Sequence, residues 1–188
     1  MKNINKISFV FIFLLVIFLV GCSNGRKKFE DDYQMFKGQE HVFEKVNYKT
    51  VYEALTKEGS YVILFAYDPD LYECPYCMEA IPIINEAALQ EGVDKILYLD
   101  IRTMRVERTS EYLSLIDYID EQVDDLQTRN DNLELIVPDL YVVKDGKILG
   151  HHIATLTDDE DKFILGLDSE QREELILIYK NLFKNVKS

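Results

Sequence analysis

The sequence has no tryptophan, only three cysteines and only three histidines among its 188 residues. So few cysteines exclude a domain held together by a framework of disulfides, and a protein with several metal clusters. Basic residues are also scarce: 21 lysines and arginines stand against 34 aspartates and glutamates, which gives a net charge of −13. Because phosphate contacts need clustered lysine and arginine, we expect no nucleic-acid partner.

Apolar residues are plentiful and make up 47% of the chain. That share is enough to build a hydrophobic core, so global disorder is excluded. The length fits one domain of ordinary size.

The first residues have the layout of an export signal. Lys2 and Lys6 precede an apolar run at 7–20, and Cys22 follows almost at once. The run is shorter than the roughly 20 residues of a membrane-spanning helix. Residues 19–22 (Leu-Val-Gly-Cys) resemble a bacterial lipobox, which implies cleavage before Cys22 and a lipid on its sulfur. A short uncleaved anchor is the alternative, and both place the remaining chain on the extracytoplasmic face of the cell membrane.

These features predict three parts in the chain. Residues 1–21 form a lipoprotein signal peptide, residues 22–40 a lipidated N-terminus and flexible tether, and residues 41–188 a folded domain. Loss of the signal peptide leaves 19 basic and 34 acidic side chains, a net charge of −15.

From residue 41 onward, strand and helix patterns alternate. A helical pattern covers Tyr48–Lys57, and the apolar run Tyr61–Tyr67 is typical of a strand covered on both faces. A helix is predicted from Cys74 to about Leu89, followed by a second buried strand at Ile96–Ile101.

The second half continues the alternation. One long helix is predicted from apolar residues at helical spacing (Tyr112, Leu115, Ile116, Ile119, Val123 and Leu126), and 128–132 is a polar break. Two strands joined at Asp145-Gly146 form a hairpin, and a last helix begins at Ser169. The order β–α–β–α–β–α–β–β–α predicts an α/β fold with a mixed sheet and helices on both faces.

The tetrapeptide Cys74-Pro75-Tyr76-Cys77 carries the reactive groups. A disulfide across so short a loop stabilises a fold little, compared with about 3 kcal/mol for a 15-residue loop. Pro75 suits the first turn of a helix, which puts Cys74 at the helix N-terminus, where the dipole favours a thiolate. Cys77, one turn further, is placed to resolve a mixed disulfide.

Around this tetrapeptide the chain resembles the thioredoxin superfamily. Pro82 lies five residues after Cys77, and Val137-Pro138 before the hairpin is similar to the family's cis-proline loop. The resemblance covers about residues 41–188 and implies a thioredoxin-like fold, a central mixed sheet flanked by helices. It also implies that Cys74 and Cys77 are catalytic, that no cofactor is needed, and that Pro75, Tyr76, Val137 and Pro138 contact the substrate.

The chain departs from the family pattern at two places. Glu73 stands where thioredoxins usually carry tryptophan, and the strand 61–67 lacks the family's buried aspartate. Asp68 and Glu73 are candidates to replace that aspartate, but we expect both to be exposed loop residues. Exported lipoproteins of this build resemble bacteriocin transport accessory proteins and other cell-surface thioredoxin-like proteins.

The predicted activity is thiol–disulfide exchange on exported proteins, in a direction the sequence leaves open, with a redox partner in the membrane as one option. One alternative is a metal carrier in which His151 or His152 joins Cys74 and Cys77, although strand-end histidines usually face solvent. The other is an accessory binding module that has the fold without turnover.

Overall fold

The computed structural model describes residues 24–69, 73–129 and 131–187. The predicted signal peptide and Cys22 lie outside these ranges. The helices are α1 (24–32), α2 (Tyr48–Thr56), α3 (Pro75–Glu91), α4 (Arg102–Val106), α5 (Ser110–Asp120) and α6 (Ser169–Lys187), with a 3₁₀ turn at Gln34–Phe36. The strands are β1 (Phe43–Lys45), β2 (Ser60–Ala66), β3 (Ile96–Asp100), β4 (Gln127–Arg129), β5 (Asn132–Glu134), β6 (Asp139–Lys144) and β7 (Lys147–Ile153).

Five of these strands form one mixed sheet in the order β1-β3-β2-β6-β7. The first three are parallel, β6 runs antiparallel to β2, and β7 runs antiparallel to β6. The central strand β2 is buried from Val62 to Ala66, because helices cover the sheet. The predicted α/β class and mixed sheet are confirmed.

Local sequence explains where the main elements begin and end. The Asn47 side chain caps α2 by accepting a hydrogen bond from the Thr50 N–H at 3.0 Å. Gly92 ends α3 in the left-handed conformation, with φ at 64°. The hairpin turn at Asp145-Gly146 has positive φ at both positions, as its sequence predicts.

The predicted long helix is wrong in its extent. The structure has the short helix α4 and then α5, which ends at Asp120, so Val123 and Leu126 lie beyond it, although both pack against the core. Acidic residues accumulate after Asp117, and negative charge at a helix C-terminus opposes the helix dipole. The predicted polar break at 128–132 is a hairpin instead, formed by β4 and β5.

The segment before residue 40 also differs from the flexible tether that we expected. It contains α1 and the 3₁₀ turn, and Phe29, Tyr33 and Phe36 are buried. The Phe29 ring lies 4.5 Å from the ring of Phe43 and 5.3 Å from that of Tyr98, centroid to centroid. The aromatic residues recur at helical spacing, which lets an otherwise polar segment bury one face against the sheet.

Within the described ranges, no helix combines the length and apolar character that a membrane crossing requires.

Candidate active site

Cys74 and Cys77 form a disulfide at the N-terminus of α3. Cys74 is the N-cap residue, and its Sγ accepts a hydrogen bond from the Cys77 N–H at 3.2 Å. Pro75 occupies the first turn, as the sequence predicts. In the reduced protein this N–H and the helix dipole both favour a thiolate on Cys74.

The two sulfurs differ in their access to solvent. Cys74 is 5% exposed and lines two surface pockets, whereas Cys77 is completely buried and lines neither. An external disulfide therefore reaches Cys74 first, and Cys77 stays covered behind it.

The larger pocket, of about 860 Å³, lies between α3 and the N-terminal segment. Its rim has three large apolar side chains, Met35, Met78 and Leu165, each about two-fifths exposed. The loop that carries Leu165 is tied to α3, because the Glu79 carboxylate accepts hydrogen bonds from the Gly166 and Leu167 N–H groups.

The smaller pocket, of about 530 Å³, lies on the other side of Cys74. Pro75, Tyr76 and Val137, three of the predicted substrate-binding residues, line it together with Cys74. The Val137 carbonyl oxygen lies 3.9 Å from Cys74 Sγ, close enough to accept a weak hydrogen bond from a reduced Cys74 thiol.

The peptide bond between Val137 and Pro138 is cis. Pro138 itself is buried, and its carbonyl accepts a hydrogen bond from the Ala154 N–H at 2.6 Å. The Tyr76 ring packs edge-on against Phe163, 5.9 Å away. The structure thus brings the predicted residues to one place, and their catalytic and binding roles stay predictions.

A buried carboxylate lies immediately after this loop, at a position that sequence reasoning missed. Asp139 is fully buried, and its Oδ1 is 3.0 Å from Nδ1 of His151, whose Nε2 is 2.9 Å from Asp125. Burial raises the pKa of Asp139 to about 6. Burial alone would lower the pKa of His151, but its hydrogen bonds with the two carboxylates, and their charges, outweigh it and raise that pKa.

The two acids that we considered as replacements for the family's aspartate have different environments. Glu73 is exposed as predicted, but the prediction for Asp68 is wrong, because its side chain is buried. Near it, Asp32 of α1 is buried and pairs with Lys45 at 2.5 Å. Burial raises the pKa of Asp32, against the opposing effect of Lys45 and with a smaller contribution from Asp68.

The metal-carrier hypothesis requires His151 or His152 to bind an ion together with Cys74 and Cys77, and the two histidines make other contacts in the structure. Both ring nitrogens of His151 face carboxylates, and its ring stacks on Tyr141. His152 packs edge-on against Tyr179, and burial lowers its pKa to about 4. In the part of the chain that the structure describes, no three metal-ligating side chains are grouped to hold an ion.

The smaller pocket also contains four arginines that we did not single out: Arg102, Arg105, Arg108 and Arg129. The sequence could have indicated this cluster, because four of the chain's six arginines fall between residues 102 and 129.

Comparison with known proteins gives matches among solved structures only. No family model matches the chain, and no curated protein does. The structure is similar to thioredoxin O2 from Arabidopsis thaliana in its oxidized state (17% identity, 79% of this chain and 96% of that chain, TM-score 0.41). It is also similar to thioredoxin from Trypanosoma brucei brucei (14% identity, 78% and 93%, TM-score 0.45) and to thioredoxin F from spinach chloroplast (15%, 78% and 88%, TM-score 0.41).

The mixed sheet, which ends in two antiparallel strands joined as a hairpin, agrees with the expectation from the sequence. The chain has a thioredoxin-like fold, with a disulfide at the N-terminus of the helix after the central strand.

Proposed function

We propose that the protein is a lipid-anchored, extracytoplasmic thiol–disulfide oxidoreductase that acts on exported proteins. The observation that carries the proposal is the difference between the two cysteines. Cys74 is a helix N-cap at the meeting point of two pockets, and Cys77 is buried one turn behind it. A purely structural disulfide would not need one sulfur at a substrate-sized groove.

The reaction proceeds through two exchanges of disulfide bonds. The Cys74 thiolate attacks one sulfur of a substrate disulfide, so that a bond from Cys74 to the substrate forms, and the other substrate sulfur leaves as a thiolate that takes a proton from water. Deprotonated Cys77 then attacks Cys74, which releases the second substrate thiol and leaves the Cys74–Cys77 disulfide. Donation of a disulfide runs the same steps in reverse.

The neighbouring residues support this chemistry. Val137 places its carbonyl beside the reacting sulfur, and Pro75 and Tyr76 form the edge of the groove. The location is proposed from the sequence alone: residues 1–22 resemble an export signal with a lipobox, which would put the domain outside the cytoplasm, where a membrane protein would exchange electrons with it.

Cysteine variants test the proposal directly. Cys74→Ser should abolish insulin reduction, and Cys77→Ser should accumulate mixed disulfides with exported proteins, visible on non-reducing gels and lost on reduction. The variant with both cysteines replaced is the matched control and should trap nothing. Full activity of Cys74→Ser together with no trapping by Cys77→Ser would contradict the proposal. Full biological activity of the double variant would favour a binding module without turnover.

A further inference from the structure

We propose that the arginine-lined pocket beside Cys74 recognises acidic side chains next to the reacting cysteine of a protein substrate. The inference rests on the proposed function and narrows its substrate class. We call this pocket the arginine groove; its charged residues are Arg102, Arg105, Arg108, Arg129, Glu73 and Glu134.

The charge of the groove is opposite to that of the molecule. The whole chain carries −13, yet the groove has four arginines and two glutamates. The four arginines line the same pocket as Cys74. The positive charge is therefore local, and it lies where a substrate must come closest.

One of the two carboxylates is already neutralised within the groove. Glu134 of β5 pairs with the guanidinium of Arg105, which also donates to the Tyr67 hydroxyl at 2.6 Å. This contact fixes the β4–β5 hairpin against α4. The other glutamate that lines the groove among the described residues, Glu73, is exposed.

Arg108 has an unused donor. Its guanidinium lies 6.0 Å from the centre of the Tyr112 ring, and its Nη1 is buried without a hydrogen-bond partner among the described residues. A buried donor without a partner is unfavourable. Arg108 as a whole is half-buried and lines the groove, so a substrate carboxylate can form a charge-assisted hydrogen bond with the part of its guanidinium that stays accessible.

The occupant follows from this geometry and charge. A mixed disulfide on Cys74 holds the residues that flank the substrate cysteine against the wall of the groove. Aspartate and glutamate side chains there match planar guanidinium groups. A long polyanion would meet the repulsion of the surrounding acidic surface, so an acidic peptide segment fits better.

The test compares peptide disulfides that differ only in the two residues flanking cysteine: aspartate, asparagine or lysine. With the full chain in dilute buffer, kcat/KM for the aspartate peptide should exceed that for the asparagine peptide about tenfold. The lysine peptide should be slowest. Half-molar salt should reduce the ratio toward one, because it screens exposed charges.

Variants locate the effect. Arg108→Gln with Arg129→Gln should reduce the aspartate-to-asparagine ratio several-fold, whereas Arg108→Lys with Arg129→Lys should preserve part of it. Lys49→Gln with Lys147→Gln removes the same two positive charges from exposed positions outside the groove and should leave the ratio unchanged. Equal rates for the aspartate and asparagine peptides in the wild-type protein would overturn the inference, whatever the variants do. So would a ratio that the arginine variants leave unaltered.

A second measurement separates this inference from the proposed function. Anisotropy of fluorescent peptides with serine in place of cysteine measures binding without any exchange of disulfides. If the aspartate peptide binds more tightly and no peptide is turned over, the groove recognises acidic peptides, but the protein is not an oxidoreductase. If the peptides are turned over at equal rates and bind equally well, the protein is an oxidoreductase, but the groove does not recognise acidic peptides.

Discussion

At the scale of single residues, Asp139 connects the cis-proline loop with a buried chain of ionisable groups. The carboxyl group is fully buried, its Oδ1 faces His151, and its Oδ2 has no hydrogen-bond partner among the described residues. A buried carboxylate without full compensation is unfavourable, and the protein responds by holding its proton more tightly.

This environment predicts how stability depends on pH. The pKa of Asp139 rises from an ordinary 3.8 to about 6 on folding, so its contribution to stability is fully present below pH 4 and is lost as the pH rises toward 6 and beyond. In Asp139→Asn, which cannot ionise, this loss is absent. The free energy of unfolding of the variant relative to wild type should therefore increase between pH 4.5 and 7.5, by about 2 kcal/mol.

Urea unfolding at several pH values measures this difference. Asp125→Asn is the matched control at the other nitrogen of His151, and it should cause a smaller change because Asp125 is 60% exposed. A difference between Asp139→Asn and wild type that stays constant over this pH range would show that Asp139 does not titrate in it.

Single residues also show how far the sequence predicts the site. The cysteines and Val137-Pro138 are local motifs, and the structure brings them together as expected. Asp139 was not identified, because its environment depends on contacts with His151 and Asp125 that only the assembled strands create. Asp68 was expected to be exposed for a similar reason: nothing in its neighbouring sequence shows that other elements cover it.

At the scale of elements, α1 and its 3₁₀ turn contribute to both the core and the site. Phe29 is buried among aromatic rings, and Met35 of the same segment lies on the rim of the larger pocket. A segment that polarity and position had marked as a tether is thus one wall of the candidate active site.

The packing of this segment predicts a large effect of one substitution. Phe29→Ala should reduce the free energy of unfolding by about 3–5 kcal/mol, because it leaves a cavity in the aromatic cluster. Met35→Ala, in the same segment but 43% exposed, should change it by no more than about 0.5 kcal/mol. Denaturant unfolding distinguishes the two cases, and equal small effects would mean that the segment does not pack as described.

Elements differed in how well the sequence predicted them. Strands β2 and β3 were predicted within one residue at each end, because buried central strands are continuous apolar runs. The length of α5 was overestimated, since Val123 and Leu126 continue the apolar spacing although the helix ends at Asp120. Periodicity shows which residues face the core, but not whether the backbone between them remains helical.

At the scale of the whole molecule, the order of strands and helices was enough to predict an α/β fold with a mixed sheet, and the resemblance around Cys74 and Cys77 implied the thioredoxin-like fold. The arginine groove was not predicted, since its four arginines come from α4, from the turn after α4 and from β4. The net charge of the chain is negative, and it gives no information on a groove in which positive side chains outnumber negative ones.

The proposed attachment to the membrane also concerns the whole chain. If Cys22 carries lipid, metabolic labelling with an alkyne fatty acid should mark the protein, and the protein should sediment with membranes. Cys22→Ala should prevent the labelling and alter the processing of the signal peptide. Unchanged labelling of Cys22→Ala would show that any lipid is attached elsewhere, and absence of label on the wild-type protein would contradict the lipobox interpretation.

The central claim is that the Cys74–Cys77 disulfide exchanges with substrates, and its reduction potential tests that claim most directly. Equilibration of the purified protein with graded thiol–disulfide buffers, followed by counting of free thiols, gives the potential. We expect a two-electron transition between about −120 mV, typical of disulfide donors, and about −270 mV, typical of thioredoxin. A disulfide that stays intact down to potentials below about −300 mV would behave as a structural bridge and would contradict the account.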